Sequence, residues 1–142
     1  MIVPDANLLL YAYDSTNRFH ARSADWWKGC LEGAEPVGLC DVVLFGFIRI
    51  STSRLVYRDP LSIDEANNRV RSWLDRSVTD FLITQESDVL QAMLWLEEAG
   101  AGGNLTTDAQ IAALARRHRA TVHTADTDFG RFPDVRWLNP IL

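Results

Sequence analysis

Lysine is almost missing from this chain. Of its 14 basic residues 13 are arginine, and Lys28 is the exception. A phospho-receiver domain needs a lysine at a late strand end, so that carboxylate chemistry is excluded. Arginine suits bidentate phosphate contacts, but skewed codon usage accounts for such a bias equally well. Cysteine is scarce too. Cys30 and Cys40 lack metal-type spacing and read as buried thiols of a reducing compartment, not as a disulfide. No apolar run approaches membrane-spanning length, so no membrane association is expected. A first strand starting at Ile2 leaves no room for a signal peptide, which makes the cytoplasm the expected compartment. Two further motifs are absent. No Gly-Lys-Ser/Thr follows the glycine-rich stretch 100–104, and no Gly-x-Ser-x-Gly elbow supports Ser-His-Asp hydrolysis by the scattered His20, His118 and His123. The net charge of −5 argues against a broad electrostatic nucleic-acid binder, though carboxylates that hold metal ions would present a positive site.

What is present is a chain of 142 residues with 47% hydrophobic and 23% charged residues, enough for one domain with a core of its own, expected to span 1–142. Ile2 and Val3 start a strand that ends at Asp5, and Asn7 to Tyr13 form a short helix with Asp5 or Asn7 as its cap. A helix from about His20 to Leu31 closes at Gly33. Pro36 to Leu39 is a second strand, and Asp41 caps a helix from Val42 to about Leu55. Ser62-Ile63-Asp64-Glu65 is a capping box for a helix from Ile63 to Asp75. Phe81 to Ile83 is a third strand. Thr84 caps the helix that runs out at Ala99, and Thr106 or Thr107 caps the helix carrying Asp108. Thr121–Thr124 and Val135–Leu138 are the last two strands. Strands alternating with helices give βαβ units and a mostly parallel sheet.

Such a sheet gathers its carboxylates at one rim. Asp5 follows the first strand, and Asp126 and Asp128 follow the fourth. Asp108 heads a stripe with Ile111, Ala112 and Ala115 at i+3, i+4 and i+7, so it is aimed inward over the sheet's edge. Taken singly, each has an ordinary explanation as a helix cap, a charge at a helix N-terminus, or an acidic turn. Together they would repel and stay partly protonated unless a cation sits among them. Hard oxygen ligands are what Mg²⁺ and Mn²⁺ prefer, and such a cluster serves metal-assisted phosphodiester hydrolysis. A phosphoaspartate phosphatase would need a second aspartate where this chain has Asn7.

Three stretches carry a resemblance: Val3-Pro4-Asp5-Ala6-Asn7-Leu8-Leu9-Leu10, Thr107-Asp108-Ala109-Gln110-Ile111-Ala112-Ala113-Leu114-Ala115, and His123-Thr124-Ala125-Asp126-Thr127-Asp128-Phe129. In order and spacing they resemble the PIN-domain ribonucleases, in particular the VapC toxins of bacterial toxin–antitoxin pairs. The resemblance covers essentially the whole chain. It implies a three-layer α/β/α domain with a five-stranded, mostly parallel sheet, and Mg²⁺- or Mn²⁺-dependent endonucleolytic cleavage of RNA. It also implies inhibition by a VapB-like antitoxin and a homodimer. Carried over, Asp5, Asp108 and Asp126 match three acids of the family's metal site and Asp128 an accessory acid. Asn7 and Thr124 match supporting polar positions.

One departure stands out. The family commonly has a glutamate early in the helix after the second strand, and in Leu44-Phe45-Gly46-Phe47-Ile48-Arg49 that position is Gly46. Asp41, five residues earlier, is off that face and reads as a cap. Arg49, three residues later, lies on nearly the same face and within reach of a phosphate. The missing acid leaves an alternative, a PIN-fold module that binds RNA or antitoxin but hardly cleaves. Trp26, Trp27, Phe45, Phe47 and Trp73 offer more large aromatics on early helices than a small core needs, and some of them suit antitoxin docking. RNA specificity is expected in loops such as 14–17 and 100–104.

Overall fold

The computed structural model describes residues 1–142. Three buried residues, Ile2–Pro4, form β1, and the chain then builds outward from it. It continues through α1 (Ala6–Tyr13), α2 (His20–Glu32), β2 (Val37–Cys40), α3 (Asp41–Ser51), α4 (Ile63–Leu74) and β3 (Thr79–Leu82). It returns through α5 (Glu86–Ala99), α6 (Leu105–Arg117), β4 (Thr121–His123), a 3-10 turn at Thr127–Arg131, and β5 (Arg136–Leu138). The sheet order is β3-β2-β1-β4-β5, and every pairing is parallel. With helices on both faces, this is the α/β/α architecture expected from the alternation of elements.

The topology places the site. Strands are added on one side of β1 as far as β3, and the chain then crosses back to add β4 and β5 on the other side. The gap between β1 and β4 is therefore the switch point, where the carboxyl ends of parallel strands leave a crevice. Ile2, Val3 and Pro4 pair with Thr121, Val122 and His123, so the residues just beyond both strands emerge side by side.

Packing fixes the helices around that gap. Trp73 of α4 sits at the centre of an aromatic knot, 4.8 Å from Phe47 of α3 and 5.5 Å from Trp27 of α2, by ring centroids. Its indole N–H donates to the hydroxyl of Tyr13 at 2.8 Å, which joins α1 to the same knot. Each such ring pair adds about 0.5–1.5 kcal/mol to the area it buries. On α6, Ile111, Ala112 and Ala115 are buried as their spacing predicts, and Asp108 is buried with them. Asp88 ties α5 to α6: both its carboxylate oxygens accept from Arg117 Nε, at 2.9 and 3.0 Å. Cys30 and Cys40 are buried and unpaired, and burial pushes both thiols up to about 11.

Several boundaries differ from the sequence expectations. α3 ends at Ser51, short of Leu55: the Thr52 hydroxyl donates to the Ile48 carbonyl at 2.7 Å, and the Ser53 N–H bonds three residues back to Ile50 at 3.1 Å in place of the i→i−4 ladder. Leu55 is then fully exposed. Asp41 opens α3 and accepts the Val42 N–H at 2.8 Å, but the cap position is Cys40. β3 is Thr79–Leu82, not Phe81–Ile83. It is an edge strand, half in water, so polar Thr79 and Asp80 are tolerated there and the apolar signal starts late. α5 is capped by Gln85, paired with Asp88 in a capping box, and not by Thr84. α6 begins at Leu105, which leaves Thr106 and Thr107 inside its first turn. β2 is Val37–Cys40, one residue later than the sequence suggests. The expected capping box at Ser62 and Glu65 is present, and no helix is long and apolar enough to cross a membrane.

Candidate metal centre

Asp5 is held in place by the segments leaving β1 and β4. Its N–H donates to the His123 carbonyl at 2.9 Å, continuing the β1–β4 ladder by one residue. Its side chain caps α1, with Oδ1 accepting the Ala6 N–H at 2.7 Å. Oδ2 accepts the hydroxyl of Thr124 at 2.8 Å. Thr124, fully buried, accepts in turn from the Asp126 N–H at 2.9 Å and from Asn7 Nδ2 at 3.3 Å. Asn7 Oδ1 takes the Ala125 N–H at 3.4 Å. Two short polar residues thus fix where the Asp5 carboxylate points and where the backbone carries Asp126. Asp126 caps the 3-10 turn by accepting the Asp128 N–H at 2.8 Å, which brings Asp128 round to the same side.

The carboxylates of Asp108, Asp126 and Asp128 have oxygens within 4.8 Å of one another. Asp5 stands outside that tight group but lines the same cleft as Asp108 and Asp126. The cleft has a volume of about 610 Å³ and also takes in Asn7, Gly46, Arg49, Asn104 and Thr107. No cationic side chain lies within 4.0 Å of any of the four acids. Burial, and then the negative charges of Asp126, Asp5 and Asp128, push Asp108 up to about 7. Burial likewise raises Asp5, against the hydrogen bonds from Thr124 and Ala6 that pull it down. Asp5 and Asp108 are buried, Asp126 is half-buried and Asp128 is exposed at the mouth, and this oxygen-only set with excess negative charge and no protein counter-charge fits a hard divalent cation.

The residues singled out in the sequence come together with one exception. Asp5, Asn7, Asp108, Thr124, Asp126 and Asp128 form one connected set, and Arg49 is exposed on the α3 wall of the same cleft. Asp41 is exposed and outside the cleft, so it does not stand in for the missing acid. Gly46 faces the cleft, and a Cβ added there would meet only the Ala6 Cβ, at 3.7 Å. Of the five early-helix aromatics, Trp27, Phe47 and Trp73 are core. Trp26 is half-buried and donates to His123 Nδ1 at 3.0 Å, while Phe45 is 68% exposed. Phe45, Asn104 and Thr107 also line the cleft. Asn104 belongs to the loop expected to carry RNA specificity, while Phe45 and Thr107 carry no expectation of a place beside the acids.

Comparison with known proteins agrees with this geometry. The PIN domain family model matches residues 2–135. The chain is 40% identical over 141 residues to Ribonuclease VapC33 of Mycobacterium tuberculosis, covering 99% of each. It is also 40% identical over 142 residues to Ribonuclease VapC37 of the same organism, covering 99% of this chain and 97% of the relative. Among solved structures it shares the fold of M. tuberculosis VapC20, a sarcin–ricin loop cleaving toxin. That match has a TM-score of 0.72 at 19% identity, over 96% of this chain and 99% of the other. It also shares the fold of VapBC2 from Rickettsia felis bound to a promoter DNA fragment, with a TM-score of 0.66 at 18% identity over 98% of both chains. A family match over nearly the full length, joined to relatives at 40% identity, shows that the chain belongs to the PIN-domain family, in the branch of the VapC ribonucleases.

Proposed function

We propose that the chain is a Mg²⁺- or Mn²⁺-dependent endoribonuclease that acts as the toxin of a type II toxin–antitoxin pair, restrained by a VapB-like antitoxin. The observation that carries this reading is the uncompensated carboxylate cluster of Asp108, Asp126 and Asp128, backed by Asp5, at the sheet's switch point. The VapC names of the relatives and the VapBC complexes among the structural neighbours support it. They give no support to a module that binds without cleaving.

Asp5, Asp108 and Asp126 would hold the ion, with Asp128 as a further ligand. A divalent ion bound there supplies positive charge that activates a water and offsets the charge growing on the phosphate. Thr124, steadied by Asn7, holds the carboxylate of Asp5 and the backbone of Asp126 in register, so little reorganisation is needed when substrate arrives. Arg49 stands on the opposite wall of the cleft, placed to take a phosphate oxygen of the substrate.

The functional unit is a homodimer. Val89, Leu90, Met93 and Leu94 form an exposed apolar side of α5, opposite its buried Asp88, Ala92 and Trp95. A second apolar stripe of that size on one helix fits burial against another copy.

The test is expression in a bacterial host alone and together with its cognate antitoxin. Growth arrest with RNA fragmentation, relieved by the antitoxin, supports the reading. Normal growth and intact RNA at high expression contradict it.

A further inference from the structure

Val42, Phe45, Gly46 and Arg49 recur at i, i+3, i+4 and i+7 along α3, so they share one face of that helix. All four line the cleft that holds Asp5, Asp108 and Asp126. Phe45 is 68% exposed, while its neighbours Leu44 and Phe47 are buried in the core. The core therefore does not account for this ring, which offers its surface to solvent beside the acids. Arg49, one turn further on, is exposed and makes no ion pair. Between them Gly46 leaves the floor open: the nearest atom to a Cβ there is the Ala6 Cβ at 3.7 Å.

We propose that Phe45 and Arg49 form a nucleotide subsite of the cleft, with Phe45 stacking on an unpaired base of single-stranded RNA and Arg49 holding a phosphate next to it. The subsite rests on the ribonuclease reading and adds to it the side chains that seat one nucleotide beside the carboxylates. A base inside a duplex has both faces covered by its neighbours, so an exposed ring gains a stacking partner only from an unstacked base. Base–aromatic stacking is independent of hydrogen-bond pattern, so this contact sets strandedness and position more than base identity. The open floor at Gly46 lets the sugar–phosphate pass between ring and guanidinium towards the carboxylates.

The experiment uses a single-stranded oligoribonucleotide carrying 2-aminopurine at successive positions, bound to full-length protein with Asp108→Asn to prevent cleavage. Stacking quenches the fluorophore at one position. Phe45→Ala abolishes that quenching and weakens binding by about 5- to 150-fold, the range that corresponds to about 1–3 kcal/mol per stacked base. Phe45→Trp restores both. Arg49→Ala lowers the slope of log K against log salt by about 0.7, the value for one phosphate contact on a single strand. In the cleavage-competent protein Phe45→Ala raises KM far more than it changes kcat. Because the ring is exposed, Phe45→Ala keeps the parent's unfolding midpoint. RNA binding and cleavage in Phe45→Ala equal to the parent's, with the quenching retained, overturn the subsite and leave the ring to a protein contact. A parent that neither binds nor cleaves any RNA overturns the ribonuclease reading itself.

Discussion

Thr124, fully buried after β4, donates its hydroxyl to Asp5 Oδ2 at 2.8 Å and so ties the carboxylate beyond β1 to the segment leaving β4. The same oxygen accepts the N–H of Asp126 at 2.9 Å. One hydroxyl therefore orients the Asp5 carboxylate and anchors the backbone from which Asp126 projects. Thr124→Val keeps the shape and removes these bonds. Asp5 loses a donor that favours its charged form and rises further from its ordinary pKa. We expect Mn²⁺ affinity to fall by about 10- to 100-fold and stability to fall by about 1–3 kcal/mol. Calorimetric titration and denaturant unfolding read the two effects. Thr124→Ser keeps the hydroxyl and should recover most of the affinity. If Thr124→Val binds Mn²⁺ like the parent, the hydroxyl has no orienting role.

Asp108 makes stability depend on pH in the reverse of the usual carboxylate sense. Its folded pKa of about 7 lies above the value of ~3.9 for an unfolded aspartate. Between those values the folded state holds more protons than the unfolded state, so metal-free stability falls as pH rises through that window. Asp108→Asn should remove this slope, and saturating Mn²⁺ should reverse it, because the ion competes with the proton. Unfolding of the metal-free pair at pH 5 and pH 8 checks it. A parent whose stability relative to Asp108→Asn stays constant or rises from pH 5 to pH 8 would contradict the assignment.

Gly46 is a vacancy in the acid set with room to be filled. A side chain there points into the cleft and meets only Ala6, at an ordinary contact distance. Gly46→Ala should stabilise α3 by about 0.5–1 kcal/mol through helix propensity alone. Gly46→Glu gains the same propensity but adds a negative charge beside Asp5. It should bind Mn²⁺ more tightly than the parent and, without metal at pH 8, be less stable than Gly46→Ala. Titration of Mn²⁺ and paired melts of the two variants decide this. Equal Mn²⁺ affinity in all three proteins would show that Gly46 is too far from the ion to matter.

The exposed side of α5 predicts self-association. Leu90 and Leu94 are 57% and 48% exposed on one face. Replacing both with glutamate leaves the buried Asp88, Ala92 and Trp95 side intact, and should convert a dimer to a monomer that still binds Mn²⁺. Sedimentation velocity reads the masses. A parent that sediments as a monomer at micromolar concentration contradicts the dimer.

Most of what the sequence made legible came from periodicity and capping chemistry. Asp108 could be placed because Ile111, Ala112 and Ala115 repeat behind it, and α4 because Ser62 and Glu65 satisfy each other's backbone. β3 starts two residues ahead of its apolar signal because an edge strand needs only one face and one partner, so Thr79 and Asp80 can be polar. The sequence puts Asp128 at the same rim as Asp108, but not the means that brings it round. That is the Asp126 cap of a 3-10 turn, a local hydrogen bond that no hydrophobic pattern records. In sequence Phe45 is one of five early-helix aromatics divided between core and antitoxin docking, with nothing to say which it is. Only the direction of its face, set by how α3 lies across the sheet, separates it from buried Phe47.

The rate of single-stranded RNA cleavage against Mn²⁺ concentration, for the parent and for the Asp5→Asn/Asp108→Asn double variant, tests the central claim most directly. The account predicts a saturable rise for the parent. It predicts a loss of at least about 1000-fold in the variant, as when charge stabilisation at a reacting centre is removed, in a protein whose metal-free fold is intact. A double variant that cleaves RNA as fast as the parent would contradict it.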